Sequence, residues 1–118
     1  MSIVDTVTEV ILYVEDMDRM VAFYSEVLGL DVASGAAEHG FVAFDTGTCE
    51  FCLHAGRDGD VGPYAPTVVF AVDDLDSARE SLADHGVQLS DVRSPTPDTR
   101  VCDATDPEGN VFSIEASV

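Results

Sequence analysis

Two stretches of the chain, VILYVEDMD (residues 10–18) and VVFAVDDLD (residues 68–76), repeat one pattern of apolar and acidic positions at an offset of 58 residues. Val10, Val14, Asp16 and Asp18 fall on Val68, Val72, Asp74 and Asp76. Each run is rich in β-branched and aromatic residues and has strand length, which predicts a strand. The acids that follow suit a helix N-terminus, where side-chain oxygens cap free N–H groups and negative charge meets the positive end of the dipole. Helical spacing then takes over. In DRMVAFYSEVLGL the apolar stripe is Met20, Phe23, Tyr24, Val27 and Leu28, and in the second copy it is Leu75, Ala78 and Leu82. Gly29 and Gly86 are placed to close the two helices as left-handed caps.

Short strand-like pieces follow each helix: LDVAS, GFVAFDT and CEFCLHA in the first half, VQLSDV, RVCDAT and NVFSIEA in the second. Each half therefore reads strand, helix, strand, strand, strand. The join, GRDGDVGPYAP, is rich in Gly and Pro. The expectation is one α+β domain over residues 1–118 with internal modules at about 5–56 and 66–117 and a linker at about 57–65.

Such modules are covered by helices on one sheet face only, and alternation assigns the sides. Val10, Leu12 and Val14 face the helices and leave Glu9, Ile11 and Tyr13 on the open side. Val68, Phe70 and Val72 do the same and leave Thr67, Val69 and Ala71 open. Phe51 and Leu53 turn inward, so Glu50, Cys52 and His54 are open; Phe112 and Ile114 turn inward, so Val111, Ser113 and Glu115 are open. A mixed lining of acid, thiol, imidazole, hydroxyl, phenol and aliphatics suits a small-molecule cavity.

Charge removes several function classes. The chain has 23 acids against five basic residues, all arginine, for a net charge of −18. Such a surface repels nucleic acid and anionic membranes. Concentrated salt screens that self-repulsion far better than dilute buffer, so a halophile's cytosol is the expected setting. No run is long and apolar enough to span a bilayer and no secretory leader is visible, which makes the cytoplasm the expected location. Without lysine, Schiff-base chemistry has no candidate. Cys49, Cys52 and Cys102 form no disulfide framework, and on a strand Cys49 and Cys52 point to opposite faces, so buried structural thiols are expected. His39 and His85 lie beside glycines and are expected at the surface.

VILYVEDMDRMVAFYSEVLGLDV, VVFAVDDLDSARESLADHGV and DPEGNVFSIE together resemble the vicinal oxygen chelate superfamily, which includes glyoxalase I, bleomycin-resistance proteins, fosfomycin-resistance thiol transferases and extradiol dioxygenases. The resemblance runs from about Val7 to Glu115. It implies two βαβββ modules whose mixed sheets form a cupped cavity with helices on the outer face, and a homodimer. It also implies four positions for a divalent-metal ligand. Glu9 matches the first of them; Cys52, Thr67 and Ser113 stand at the others, where a carboxylate, imidazole or amide is usual.

Two readings follow. In the first, the protein binds a small organic ligand without metal or other cofactor. Glu9, Ile11, Tyr13, Cys52, His54, Thr67, Val69, Ser113 and Glu115 line the cavity, and Glu9 is the candidate general base. In the second, a displaced set of Glu9, His54 and Glu115 holds Zn, Ni, Mn or Fe and serves a lyase, isomerase, thiol transferase or dioxygenase. A structural or regulatory dimer with a self-filled cavity is a third possibility. HAGRDGDVGPYAP and LSDVRSPTPDTR are expected at the rim, with Arg57, Tyr64, Arg93 and Arg100 as candidate contacts, Arg100 as a possible partner of Glu9.

Overall fold

The computed structural model describes residue 3, residues 6–59 and residues 65–118. The chain divides into two compact units, Met1–Gly59 and Asp60–Val118. The first unit contains β1 (Glu9–Val14), α1 (Met17–Ala22), β2 (Asp31–Ala36), β3 (Phe41–Asp45) and β4 (Glu50–Ala55). The second contains β5 (Val68–Ala71), α2 (Leu75–Asp84), β6 (Arg93–Thr96), β7 (Thr99–Thr105) and β8 (Val111–Ser117). The sheets have the same strand order, β1-β4-β3-β2 and β5-β8-β7-β6. In each, the first strand pairs parallel with the last and the remaining pairs are antiparallel. Each half is thus a βαβββ module, as the repeat predicts. No helix among the described residues is long and apolar enough to cross a membrane.

The repeated acids act as caps. Asp16 accepts from the Arg19 N–H and Asp74 from the Ser77 N–H, both at 3.1 Å. This bond also holds the Asp74 carboxyl below its ordinary range. Gly29 and Gly86 both have the left-handed backbone expected of C-terminal caps.

Helix α1 departs from the expected winding. After Ala22 the chain widens into a π-helical turn, Phe23–Val27, in which the Leu28 N–H reaches the Phe23 carbonyl at 3.1 Å. The wider turn lets two consecutive aromatics, Phe23 and Tyr24, both become buried, which a regular 3.6-residue turn does poorly. Tyr24 then packs on Phe51 and Phe44 with ring centroids 4.9 and 6.4 Å apart. With Met20, Val14, Val42 and Leu53 these rings make the first unit's core. In the second unit Leu75 and Leu82 of α2 are buried with Phe112, Ile114, Cys102 and Ala104.

A second departure lies at residues 87–92, read above as a strand. Leu89 makes only an isolated bridge to Ala104, and the edge strand is Arg93–Thr96, in the segment assigned to the rim. Ser90 explains the difference. Its N–H donates to the Asp103 carbonyl at 2.9 Å and its Oγ accepts from the Asp103 N–H at 2.8 Å, so this segment is pinned through a side chain rather than a ladder. Pro95 is tolerated in β6 because that strand lies at the sheet edge.

The register of the first sheet aligns four carboxylates in one row. Glu9 is opposite Glu50, Glu50 opposite Asp45, and Asp45 opposite Asp31. Directly paired residues share a face, and like charges so placed oppose pairing. Salt weakens that opposition. Glu50→Gln, at the centre of the row, is expected to stabilise the protein in dilute buffer by roughly 0.2–1 kcal/mol per relieved pair. It is also expected to flatten the rise of melting temperature with salt. Equal salt dependence in the two proteins would show that the row exerts no net repulsion. A separate constraint acts at Gly35 beside the β2 irregularity. Its φ is +84°, and a Cβ there would lie 2.2 Å from the Phe41 carbonyl oxygen. Gly35→Ala should cost about 1–3 kcal/mol in denaturant unfolding.

Candidate functional site

On the first unit's face away from α1, the pairing continues past the acids in ordered rows. Ile11, Cys52 and Ala43 form the next row, and Tyr13, His54 and Phe41 the one beyond. The face grades from carboxylates through a thiol to rings. Tyr13 and His54 are exposed, with ring centroids 4.9 Å apart, and Phe41 meets His54 edge-on at 6.1 Å. His54 Nδ1 lies 2.6 Å from the Ala55 carbonyl. Because a carbonyl only accepts, Nδ1 carries the proton and Nε2 of the neutral ring is left as an acceptor.

Cys52 is completely buried, with Sγ 3.7 Å from Glu9 Oε2. Burial, reinforced by the Glu9 and Glu50 charges, pushes its thiol up to about 11. At neutral pH the sulfur therefore keeps its proton and donates it to Glu9. Glu9, Glu50 and Cys52 form a group whose ligand-type atoms all lie within 4.8 Å of one another. Within the first unit, Glu9 and His54 of the displaced set stand well apart. His54 pairs with Tyr13, four residues along the strand from the Glu9–Glu50 level, about 13 Å at strand rise. Glu115 lies in the second unit, exposed on β8 opposite Ala71 and Val101.

The second unit places Ser113 where the first has Cys52. Cys52 pairs with Ile11, and Ser113 pairs with Val69, which is Ile11 displaced by the repeat offset. Ser113 is almost fully buried and its Oγ lies 2.6 Å from Asp103 Oδ1. Asp103 is directly opposite Ser113 on β7. Its carboxylate also receives both terminal nitrogens of Arg93, Nη1 to Oδ2 at 2.9 Å and Nη2 to Oδ1 at 3.1 Å. The hydrogen bonds from Arg93 and then Ser113 hold the Asp103 carboxyl below its ordinary range. An ionised Asp103 can only accept, so Ser113 spends its single proton there and offers lone pairs alone to any other group. Thr67 is exposed just before β5, and Val69 is half exposed on it.

The turn DPEGN sets this alignment. Asp106 Oδ1 accepts from the Glu108 and Asn110 N–H groups at 3.0 and 2.9 Å, and Asn110 Nδ2 returns to both Asp106 oxygens. The locked turn pairs Thr105 with Val111, which brings Asp103 opposite Ser113.

One of the expected rim arginines is placed differently. Arg100 shares the face of Cys102 and reaches Asp76 on α2 at 3.4 Å, so it points to the helix side of its own sheet rather than to the open face. Arg57 Nε donates to the Gly59 carbonyl. Tyr64 lies outside the described residues. His39 and His85 are exposed, as expected. Cys49 lies half-buried in the turn before β4, and Cys52 and Cys102 are buried free thiols.

The metal implied by the resemblance can be tested against these donors. The first unit offers Glu9, Glu50 and a thiol that holds its proton. At the second unit's two positions stand Thr67 and a Ser113 bound to an ion-paired Asp103. These residues do not fit the family's four-position ligand set.

The family model described as Glyoxalase/Bleomycin resistance protein/Dioxygenase superfamily matches residues 4–114. Among curated proteins there is no significant match. Among solved structures, the fosfomycin resistance protein FosX of Listeria monocytogenes superimposes with a TM-score of 0.80 at 16% identity, covering 98% of this chain and 96% of its own. Lactoylglutathione lyase of Agrobacterium tumefaciens gives 0.77 at 21% identity, covering 94% and 92%. TnmS3, an antibiotic binding protein of Streptomyces sp. CB03234, gives 0.75 at 22% identity over 100% of both chains. At these identities the likeness is one of fold.

The thiols provide a direct check on this geometry. In the folded protein Cys49 should react with an alkylating reagent while Cys52 and Cys102 resist it. Because the folded Cys52 pKa is raised from 9.0 to about 11, its contribution to stability is intact below pH 9 and lost as pH rises toward 11. Cys52→Ser keeps a donor to Glu9 but does not titrate in this range, so the stability of the wild type relative to this variant should fall as pH rises from 9 to 11.

Proposed function

The chain belongs to the Glyoxalase/Bleomycin resistance protein/Dioxygenase superfamily, and from that membership we propose that it binds a small organic ligand without the divalent metal its enzymatic relatives use. The observation that carries this reading is the graded face of the first unit. An exposed Tyr13–His54 pair with Phe41 beside it is a stacking wall for a flat or apolar ligand body, and Glu9 at the other end accepts from a hydrogen-bond donor or a cationic group. Ile11 and Cys52 lie between them. Thr67, Val69, Ser113 and Glu115 of the second unit are proposed contacts of the same class. A homodimer working in a salt-rich cytosol completes the proposal. The likeness in fold to a fosfomycin resistance protein and an antibiotic binding protein supports an antibiotic-like ligand class.

The close grouping of Glu9, Glu50 and Cys52 favours a second reading, a metal-dependent enzyme whose ion is held in the first unit. Metal analysis separates the two. Protein purified in molar salt without chelator is expected to carry no stoichiometric Zn, Ni, Mn or Fe, before or after supplementation. One equivalent of metal that disappears in Glu9→Ala would sink the metal-free reading. For any aromatic ligand found by thermal-shift screening, Tyr13→Ala should weaken binding by roughly 2- to 10-fold, from 0.5–1.5 kcal/mol for an aromatic pair.

A further inference from the structure

We infer that the second unit carries its own cation, the Arg93 guanidinium, in place of a divalent ion, so that neither Ser113 nor Asp103 is a metal ligand in this chain. The inference rests on the reading above, in which Ser113 stands at the last-strand ligand position of the family.

A carboxylate has not been lost from this level of the sheet. It stands one strand over, on Asp103, directly opposite Ser113. Both of its oxygens are engaged: Oδ2 with Arg93 Nη1, and Oδ1 with Arg93 Nη2 and with Ser113 Oγ. A divalent ion would have to break a bidentate, charge-assisted pair, the strongest geometry open to a carboxylate and an arginine. Ser113 contributes no alternative. Its hydroxyl is neutral, only 3% exposed, and its proton is committed to Asp103.

The backbone resists rearrangement as well. Asp103 is tied to Ser90 at both its N–H and its carbonyl, and the Ser90 carbonyl accepts from Arg79 Nη2 of α2 at 3.2 Å. With the Asp103 backbone held in this way, the carboxylate can turn to another partner only by breaking its bonds to Arg93 and Ser113. The first unit lacks this device, because Ala43 stands opposite Cys52 where the second unit has Asp103 opposite Ser113.

Zinc titration calorimetry on the full chain tests the inference, using the wild type, Glu9→Gln, Ser113→Ala and Asp103→Asn. Whatever zinc affinity the wild type has, Ser113→Ala and Asp103→Asn are expected to leave it within about twofold. A loss of about tenfold or more in either overturns the inference. If the wild type takes up no zinc, the carboxyl 13C resonance of Asp103 gives the answer. It is expected to stay unmoved by zinc in the wild type and to become zinc-sensitive in Arg93→Gln, where the carboxylate is released. A zinc-induced shift in the wild type, or an unmoved resonance in Arg93→Gln, overturns the inference. Repeating the measurement in a Glu9→Gln chain removes any contribution from zinc held in the first unit. Stoichiometric zinc that depends on Glu9 alone would sink the metal-free reading of the function and leave this inference standing.

Discussion

The parallel pairing of the first and last strands in each unit sets the central level of each open face. Ile11 opposite Cys52 and Val69 opposite Ser113 fix which side chains share a level. A slip of one residue in either ladder would turn the whole last strand over and bury its polar side under the helix. The apolar residues prevent that slip. Phe51 and Leu53 are buried under α1, and Phe112 and Ile114 under α2, so the helix contacts act as the register lock for the opposite face. The site chemistry is therefore a by-product of core packing: its residues sit where they do because their neighbours in sequence are greasy.

From that shared frame the two units have diverged in how they treat charge. The first leaves a row of four carboxylates across its sheet and uses a buried thiol as a hydrogen-bond donor to one of them. The second gathers its acid, hydroxyl and guanidinium into one internally neutralised cluster. A duplicated metal site of equal halves is hard to reconcile with this asymmetry. Division of labour within the chain fits it better, with one unit presenting charge and the other sequestering it.

Much of the fold was legible because it depends on local signals. The 58-residue repeat, the Asp16 and Asp74 caps and the two closing glycines are each written in a few adjacent residues, and each is found in place. The equivalence of Cys52 and Ser113 could also be read, since alternation along a short strand is unambiguous. The winding change after Ala22 could not, because α and π turns carry nearly the same apolar stripe and only the adjacent burial of Phe23 and Tyr24 separates them. The edge strand was misplaced because Val87, Leu89 and Val92 alternate as a strand does, while a serine side chain takes over the backbone pairing at Ser90. Asp103 carries no local signal for a different reason. Its role depends on a cross-strand partner, and counting outward from the locked DPEGN turn would have revealed it. Arg100 was judged by position in the chain, whereas alternation along β7 already put it on the helix side.

The outer strands of the two sheets are not equally defended. β6 has a proline that withholds an N–H and an arginine ion-paired to the neighbouring strand, and β2 is broken by an irregularity beside Gly35. Both features discourage another strand from adding there. β1 and β5 have neither, and they show exposed Val10, Ile11, Tyr13 and Val69. Within each unit, growth of the sheet beyond its four strands is therefore resisted at the hairpin end, while the strand with which each repeat begins carries no such device.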